Sequence, residues 1–316
     1  MTTDNQHQAS RRALVLGGHG FLGQHLVCNL QAAGLDVCVR SRRDGVDAKD
    51  YQTLLEAVKQ ASPDYVFNMA AHVGSLHHVT QFAADVVHDN ATMALNLYRA
   101  VQAAAPTAVI LNPLSNCSYP GDAVIQTEEE WWDGPVHDSV WSYGNGRKFI
   151  YVLARCYARQ YGIRSMNFLV PNAFGPGDST DPNKTHAMNG LIIRMLQAQR
   201  NGDKEFLIWG TGAPIREWGY VKDMTSVLTQ ALQVDEDLLE PVNIAQGRGY
   251  SIRESAEIVK SAIGFEGAFV FDTSKQDGAP RKVLADERFR GIFKKFVFTD
   301  HAKGVAETVE YYRSVL

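Results

Sequence analysis

Cysteine is scarce. The chain has four in 316 residues, Cys28, Cys38, Cys117 and Cys156, too few and too far apart for a disulfide framework or a zinc-ligand pattern. That excludes a small stapled secreted scaffold and fits a reduced, cytoplasmic protein. Long apolar runs are missing too: no stretch reaches the roughly 18–20 residues that a membrane span needs. Residues 1–12 (MTTDNQHQASRR) lack the apolar segment of a secretory signal and read as a loose polar tail. There is no basic excess either. Lys and Arg total 31 against 35 Asp and Glu, a net charge of -4, which disfavours a nucleic-acid binder. With 26 Gly and 11 Pro the composition is neither collagenous nor low in complexity. A chain of this length can bury a core without staples.

What is present is an alternation of strand and helix patterns. The short apolar run Ala13–Leu16 ends in glycine, and Phe21, Leu22, His25, Leu26 and Leu30 then recur at helical spacing. Further strands are predicted at Asp36–Arg40, Asp64–Met69, Ala108–Leu111 and Ser165–Val170. Helices are predicted over 50–60, 80–104 and about 142–160. This order predicts an α/β fold, a Rossmann-like doubly wound parallel sheet, followed by mixed short elements beyond about residue 246 that form a smaller α/β part.

The first strand runs into Gly17-Gly18-His19-Gly20-Phe21-Leu22-Gly23, a phosphate cradle in the right context. Gly17 permits a sharp turn, Gly20 a close backbone approach, and Gly23 tight packing of helix on strand. The helix N-terminus at Phe21 and Leu22 attracts a pyrophosphate. The second strand ends in Arg40-Ser41-Arg42-Arg43 rather than in an acid. A guanidinium suits a 2′-phosphate, so NADP(H) is favoured over NAD(H). Asp47, a little further on, falls where adenine contacts are expected.

Ser115 follows the fourth predicted strand, at the carboxyl edge where ligands bind, and Tyr143 opens the following helix. Two hydroxyls converging on a carbonyl can polarise it and give it a proton. A phenol needs a nearby cation to do this near neutrality.

Several longer stretches, taken together, resemble the GDP-L-fucose synthase family of extended short-chain dehydrogenase/reductases (GDP-4-keto-6-deoxymannose 3,5-epimerase–4-reductases). They are Ala70-Ala71-His72-Val73-Gly74, Leu114–Pro120, Pro171–Asp178, Thr185-His186-Ala187, Trp209–Glu217 and Phe271–Lys282. The resemblance implies that Ser115 and Tyr143 serve reduction and that Cys117 and His186 serve epimerisation. It also implies Ala70 at the cofactor, and Asn172, Trp209, Arg216, Lys275 and Arg281 at a GDP-linked nucleotide-sugar; the residues themselves do not show which base is read. One departure stands out. The family pattern is Tyr-x-x-x-Lys, but position 147 is Arg and the lysine is at 148. One helical turn separates 143 from 147, so Arg147, not Lys148, is expected beside Tyr143 and the cofactor ribose. Arginine keeps the charge but not the geometry.

Residues 13–171 with about 216–245 are therefore expected to bind the dinucleotide, and about 172–215 with 246–316 the nucleotide-sugar. A homodimer through the helices at 80–104 and 142–160 is implied, with Ala100, Ala103, Ala104 and Tyr151 fitting either an interface or a core. His72, His77 and His78 border the expected sugar site, and with no acid near them in sequence they do not suggest a metal. The rival readings are a monofunctional C4 ketoreductase or epimerase, and a non-enzymatic dinucleotide sensor.

Overall fold

The computed structural model describes residues 10–275, 277 and 279–316. Residues 1–9 of the expected tail, and Gln276 and Gly278 of the 271–282 stretch, lie outside the described residues.

The first half alternates as the sequence predicts. Its elements are β1 (Arg12–Leu16), α1 (Phe21–Ala32), β2 (Asp36–Arg40), α2 (Tyr51–Ala61), β3 (Tyr65–Asn68), α3 (Leu76–Gln81), α4 (Ala83–Ala104), β4 (Val109–Ser115), α5 (Trp141–Tyr161) and β5 (Ser165–Val170). Then come β6 (Asn172–Phe174), α6 (Ala187–Asn201), β7 (Glu205–Trp209), β8 (Ile215–Arg216), β9 (Trp218–Tyr220), α7 (Val221–Gln230) and β10 (Val242–Asn243). The chain ends with β11 (Tyr250–Ser251), α8 (Ile252–Ile263), β12 (Ala268–Asp272), β13 (Arg281–Lys282), α9 (Glu287–Ile292) and α10 (His301–Val315).

The main sheet has the order β10-β5-β4-β3-β1-β2, and every pairing in it is parallel. Both of its faces are covered, which is why its strands read as apolar runs rather than as alternations. Leu14 and Leu16 point into one core with Leu54 of α2, Leu97 of α4 and Ile150 of α5. Ala13 and Val15 point into the other with Leu26 of α1, Val227 of α7 and Phe289 of α9. A third core joins α6, α8 and α10 through Ile192, Val259 and Val309. Buried polar groups at the sheet centre are paired: Asn112 accepts from Asn68 and donates to Asn167, both at 3.0 Å. Unpaired, each would cost about 1–3 kcal/mol.

Two expectations need correction, and one open alternative is decided. The helix expected over 80–104 starts earlier and breaks at Phe82, whose φ of -106° and ψ of 36° leave helical geometry between α3 and α4. The strand expected to stop at Leu111 continues to Ser115, so Ser115 is its last residue rather than lying past it. A central strand seldom holds a proline; Pro113 fits because β3 pairs with β4 only as far as Leu111, and beyond that β4 pairs with β5. Ala100 and Tyr151 lie in the core between α4, α5 and the sheet, at 0% and 2% exposure. They are therefore not available to a second chain.

Candidate active site

The glycine turn is shaped by contacts that admit no side chain. Gly17 has φ +76°, and a Cβ there would lie 2.8 Å from the backbone N of Ala70. A Cβ on Gly23 would run into the carbonyl of Gly17. Gly20 is the N-cap of α1, with no side-chain cap and no acid in the first turn. The first N–H groups of α1 therefore have no partner within the helix and suit an anion. Phe21 and Leu22 turn their side chains into the second core, so only their backbone can serve a phosphate.

A cleft of about 470 Å³ opens along this turn. Its walls include Arg40, Arg42, Arg43 and Asp47, and also Ala70, His72, His78 and Lys184. One Arg40 guanidinium nitrogen is bonded to the Val39 carbonyl at 2.9 Å. Asp47 spends an oxygen on the N–H of Lys49 at 3.0 Å. Asp44 balances part of the basic wall through His19 at 3.1 Å, and its hydrogen bond from Ser41 holds its carboxyl below the usual range. A helix N-terminus, a glycine-lined floor and a cationic wall fit the pyrophosphate and 2′-phosphate of NADP(H).

Beyond β4 the chain makes a tight turn in which Ser115 Oγ accepts the N–H of Cys117 at 3.2 Å. The first turn of α5 packs on it. A Cβ on Gly144 would come within 2.5 Å of the Cys117 carbonyl, so glycine there brings Tyr143 up to this turn at a helix cost of up to about 1 kcal/mol. Arg147 is buried and its guanidinium lies 4.8 Å over the Tyr143 ring. Lys148 turns the other way, with Nζ 4.9 Å from the Trp132 ring, and burial lowers its pKa.

His186 is held by a buried acid that the sequence did not single out. Asp178 accepts from the His186 backbone N–H at 2.8 Å and bonds its Nδ1 at 3.1 Å. Burial would raise the Asp178 carboxyl, but the hydrogen bond and charge of His186, with help from Asn189, hold it below the usual range. A carboxylate at Nδ1 calls for an N–H there, which leaves Nε2 as the ring atom able to exchange a proton with a ligand. The His186 ring also rests on Phe21, with centroids 5.2 Å apart, so it adjoins the start of α1.

Cys117 is half-buried, and one cation approaches it: Lys282 Nζ lies 3.9 Å from its sulfur. Arg216 donates to the Ile215 carbonyl at 2.8 Å, and burial lowers its pKa. Arg216 and Lys282 are register partners in adjacent strands, and Arg281 is the partner of Ile215. Asn172 is turned to the Glu217 carbonyl at 3.1 Å. Trp209 is 65% exposed at the end of β7, and Lys275 follows β12 beside it; no contact ties either to the Cys117 cluster. Sequence reasoning missed Asp178 and Lys282, although both lie inside stretches that drew attention for other residues.

The histidine loop also departs from expectation, since an acid does reach it. Asp89 of α4 bonds His72 Nδ1 at 3.0 Å, and His72 Nε2 meets His78 Nε2 at 3.0 Å. Lys49 holds the same carboxylate at 3.2 Å, which makes the group a local ion-pair chain on the cleft wall.

The family model described as NAD dependent epimerase/dehydratase matches residues 13–245. The chain belongs to this family. A probable GDP-L-fucose synthase 1 of Oryza sativa subsp. japonica is 30% identical over 304 residues, covering 95% of this chain and 92% of the relative. A crystal structure of a GDP-L-fucose synthetase from Naegleria fowleri bound to NADP superposes with a TM-score of 0.85. It is 27% identical and the match covers 99% of this chain and 94% of that one. A GDP-6-OMe-4-keto-L-xylo-heptose reductase from C. jejuni has a TM-score of 0.88 at 21% identity, with 98% and 99% covered, and so shares the fold. Among the described residues no helix is long and apolar enough to cross a membrane.

Proposed function

We propose that the chain is an NADPH-dependent epimerase–reductase of a GDP-linked 4-keto sugar, working in the cytoplasm as a homodimer. The observation that carries the reading is that one turn serves two chemistries. Ser115, with Tyr143 brought up by Gly144, suits carbonyl reduction. Cys117, two residues on and facing Lys282, suits proton transfer at carbon. Membership of the epimerase family and the GDP-L-fucose synthase relatives support the GDP-sugar and NADPH. Exposed Leu95 on α4 and Val152 on α5 support a helical pairing of two chains, in place of buried Ala100 and Tyr151.

A C4 ketone acidifies the protons at C3 and C5. Cys117 as thiolate removes one, and His186 returns one from Nε2 on the opposite face while Asp178 steadies Nδ1. The Ser115 and Tyr143 hydroxyls bond the enolate oxygen. Bound NADPH supplies the hydride for C4. Tyr143 then gives its proton to the C4 oxygen, Ser115 orients the carbonyl, and Arg147 contributes a fixed positive charge beside the phenol. Arg216 grips the diphosphate, and Asn172, Trp209, Lys275 and Arg281 contact the rest of the nucleotide-sugar. Because Arg147 stands where the family has Lys, a second reading is an epimerase that does not reduce.

Incubation with GDP-4-keto-6-deoxymannose in deuterated water tests the readings. Deuterium at C3 or C5 without NADPH marks epimerisation, and NADPH oxidation marks reduction. Deuterium without NADPH oxidation selects the second reading. Neither event, across several GDP-linked keto sugars, would leave only a dinucleotide binder.

A further inference from the structure

We infer that Glu217 is a positioning residue for epimerisation: its buried carboxylate fixes the strand pair that carries Lys282 to Cys117. The inference rests on the role proposed for Cys117.

Arg216 and Lys282 face each other in the parallel pairing of β8 with β13. Successive residues of an extended segment point to opposite sides. With Arg216 on the face it shares with Lys282, Glu217 is directed inward, where it is 1% exposed. Its backbone N–H donates to the Lys282 carbonyl at 2.9 Å. Its side chain then accepts the N–H of Gln246 at 2.6 Å on one oxygen and that of Leu284 at 2.9 Å on the other. One residue therefore ties β8 to the segment that continues β13 and to the loop after β10. Leu284 is two residues from Lys282, so this bond sets where the lysine stands along its strand.

A carboxylate is a costly choice for a buried joint unless its oxygens are fully bonded. What it offers here is acceptance from two separate segments at once. That requires the ionised form, because a protonated oxygen carries an O–H that opposes an N–H donor. Burial, and the charge of Asp286, push the Glu217 pKa up to about 7, against the backbone N–H groups that lower it. The charged groups around it are Arg216 on its own strand, Lys282 on β13, and Asp286, which is itself paired with Arg290 at 3.2 Å. The joint tightens as pH rises through this range, and Lys282 is then held against Cys117. Arg216 serves substrate binding in both reactions, whereas hydride transfer at Ser115 and Tyr143 makes no use of Lys282.

The ratio of two rates separates this role from a general structural one. The first is deuterium exchange at C3 and C5 of GDP-4-keto-6-deoxymannose without NADPH. The second is NADP⁺ reduction by GDP-L-fucose, in which oxidation at C4 comes first. Glu217→Gln is expected to lower the exchange-to-hydride ratio about tenfold at high pH, the scale of a modest misplacement of catalytic groups. It should also flatten the rise of that ratio that wild type shows through about pH 7. If the glutamine variant does not fold, Glu217→Asp, shorter by one methylene, is expected to lower the ratio while keeping the pH dependence. A ratio changed less than about threefold, with exchange that still requires Cys117, overturns the inference alone. Exchange that survives Cys117→Ser overturns the Cys117 reading and this inference with it.

Discussion

The Arg147 guanidinium lies 4.8 Å over the ring of Tyr143, one turn earlier on α5, and among the described residues its Nε has no hydrogen-bond partner. Lys148, the next residue, packs against Trp131 and Trp132 instead. A helix cannot present both positions to one neighbour, because successive residues are rotated by about 100°.

Arg147→Met is expected to lower NADPH-dependent turnover by about 10²-fold, the scale of lost acid–base assistance. Lys148→Met should leave turnover within about threefold. Steady-state NADPH oxidation by the two variants decides the matter, and loss of activity only on changing Lys148 would assign the wrong cation.

Gly23→Ala should be poorly tolerated, because the new methyl meets the backbone of Gly17 and Gly18 rather than a side chain that could move. A loss of about 1–3 kcal/mol in stability is expected, together with a weaker rise in melting temperature on adding NADPH. An unchanged NADPH-induced shift would count against the glycine turn as the phosphate site.

Asp178→Asn should free the His186 ring and slow deuterium exchange, with less effect on hydride transfer. The pH sign is defined. The folded state lowers the Asp178 pKa below 3.8, so its contribution to stability is full above that value and is lost as pH falls through the lower folded value. Acid unfolding of wild type in this range should therefore be steeper than that of Asp178→Asn. Superimposable acid melts would refute the linkage.

Arg40→Asp should move cofactor preference toward NADH. Losing a charge-assisted contact of about 1.5–3 kcal/mol corresponds to roughly 10–100-fold in NADPH affinity. Binding titrations with both nucleotides test this, and an unaltered preference would shift attention to Arg42 and Arg43, which line the same cleft.

The strands and helices that frame the site were legible because burial on two sides leaves a local pattern. Ala13–Leu16 is apolar throughout since both faces of β1 are covered, and the glycines that follow mark contacts where no Cβ fits. Strand β4 was read as too short because its apolar run ends at Leu111, whereas its last residues are set by pairing with β5 alone. Ala100 and Tyr151 were ambiguous for a similar reason: a small or aromatic residue on a helix looks the same in a core as at an interface.

The sequence by itself determined the doubly wound sheet, the phosphate turn, and the pairing of Tyr143 with Arg147 rather than Lys148. Each of these depends on spacing within one or two elements, where helix and strand periods fix which residues meet. Only the tertiary structure decided that Lys282 faces Cys117, 165 positions away, and that Glu217 bonds both Gln246 and Leu284. Those contacts depend on the register and packing of distant strands. Composition and periodicity do not encode such a relation, because many residues along each segment could have met.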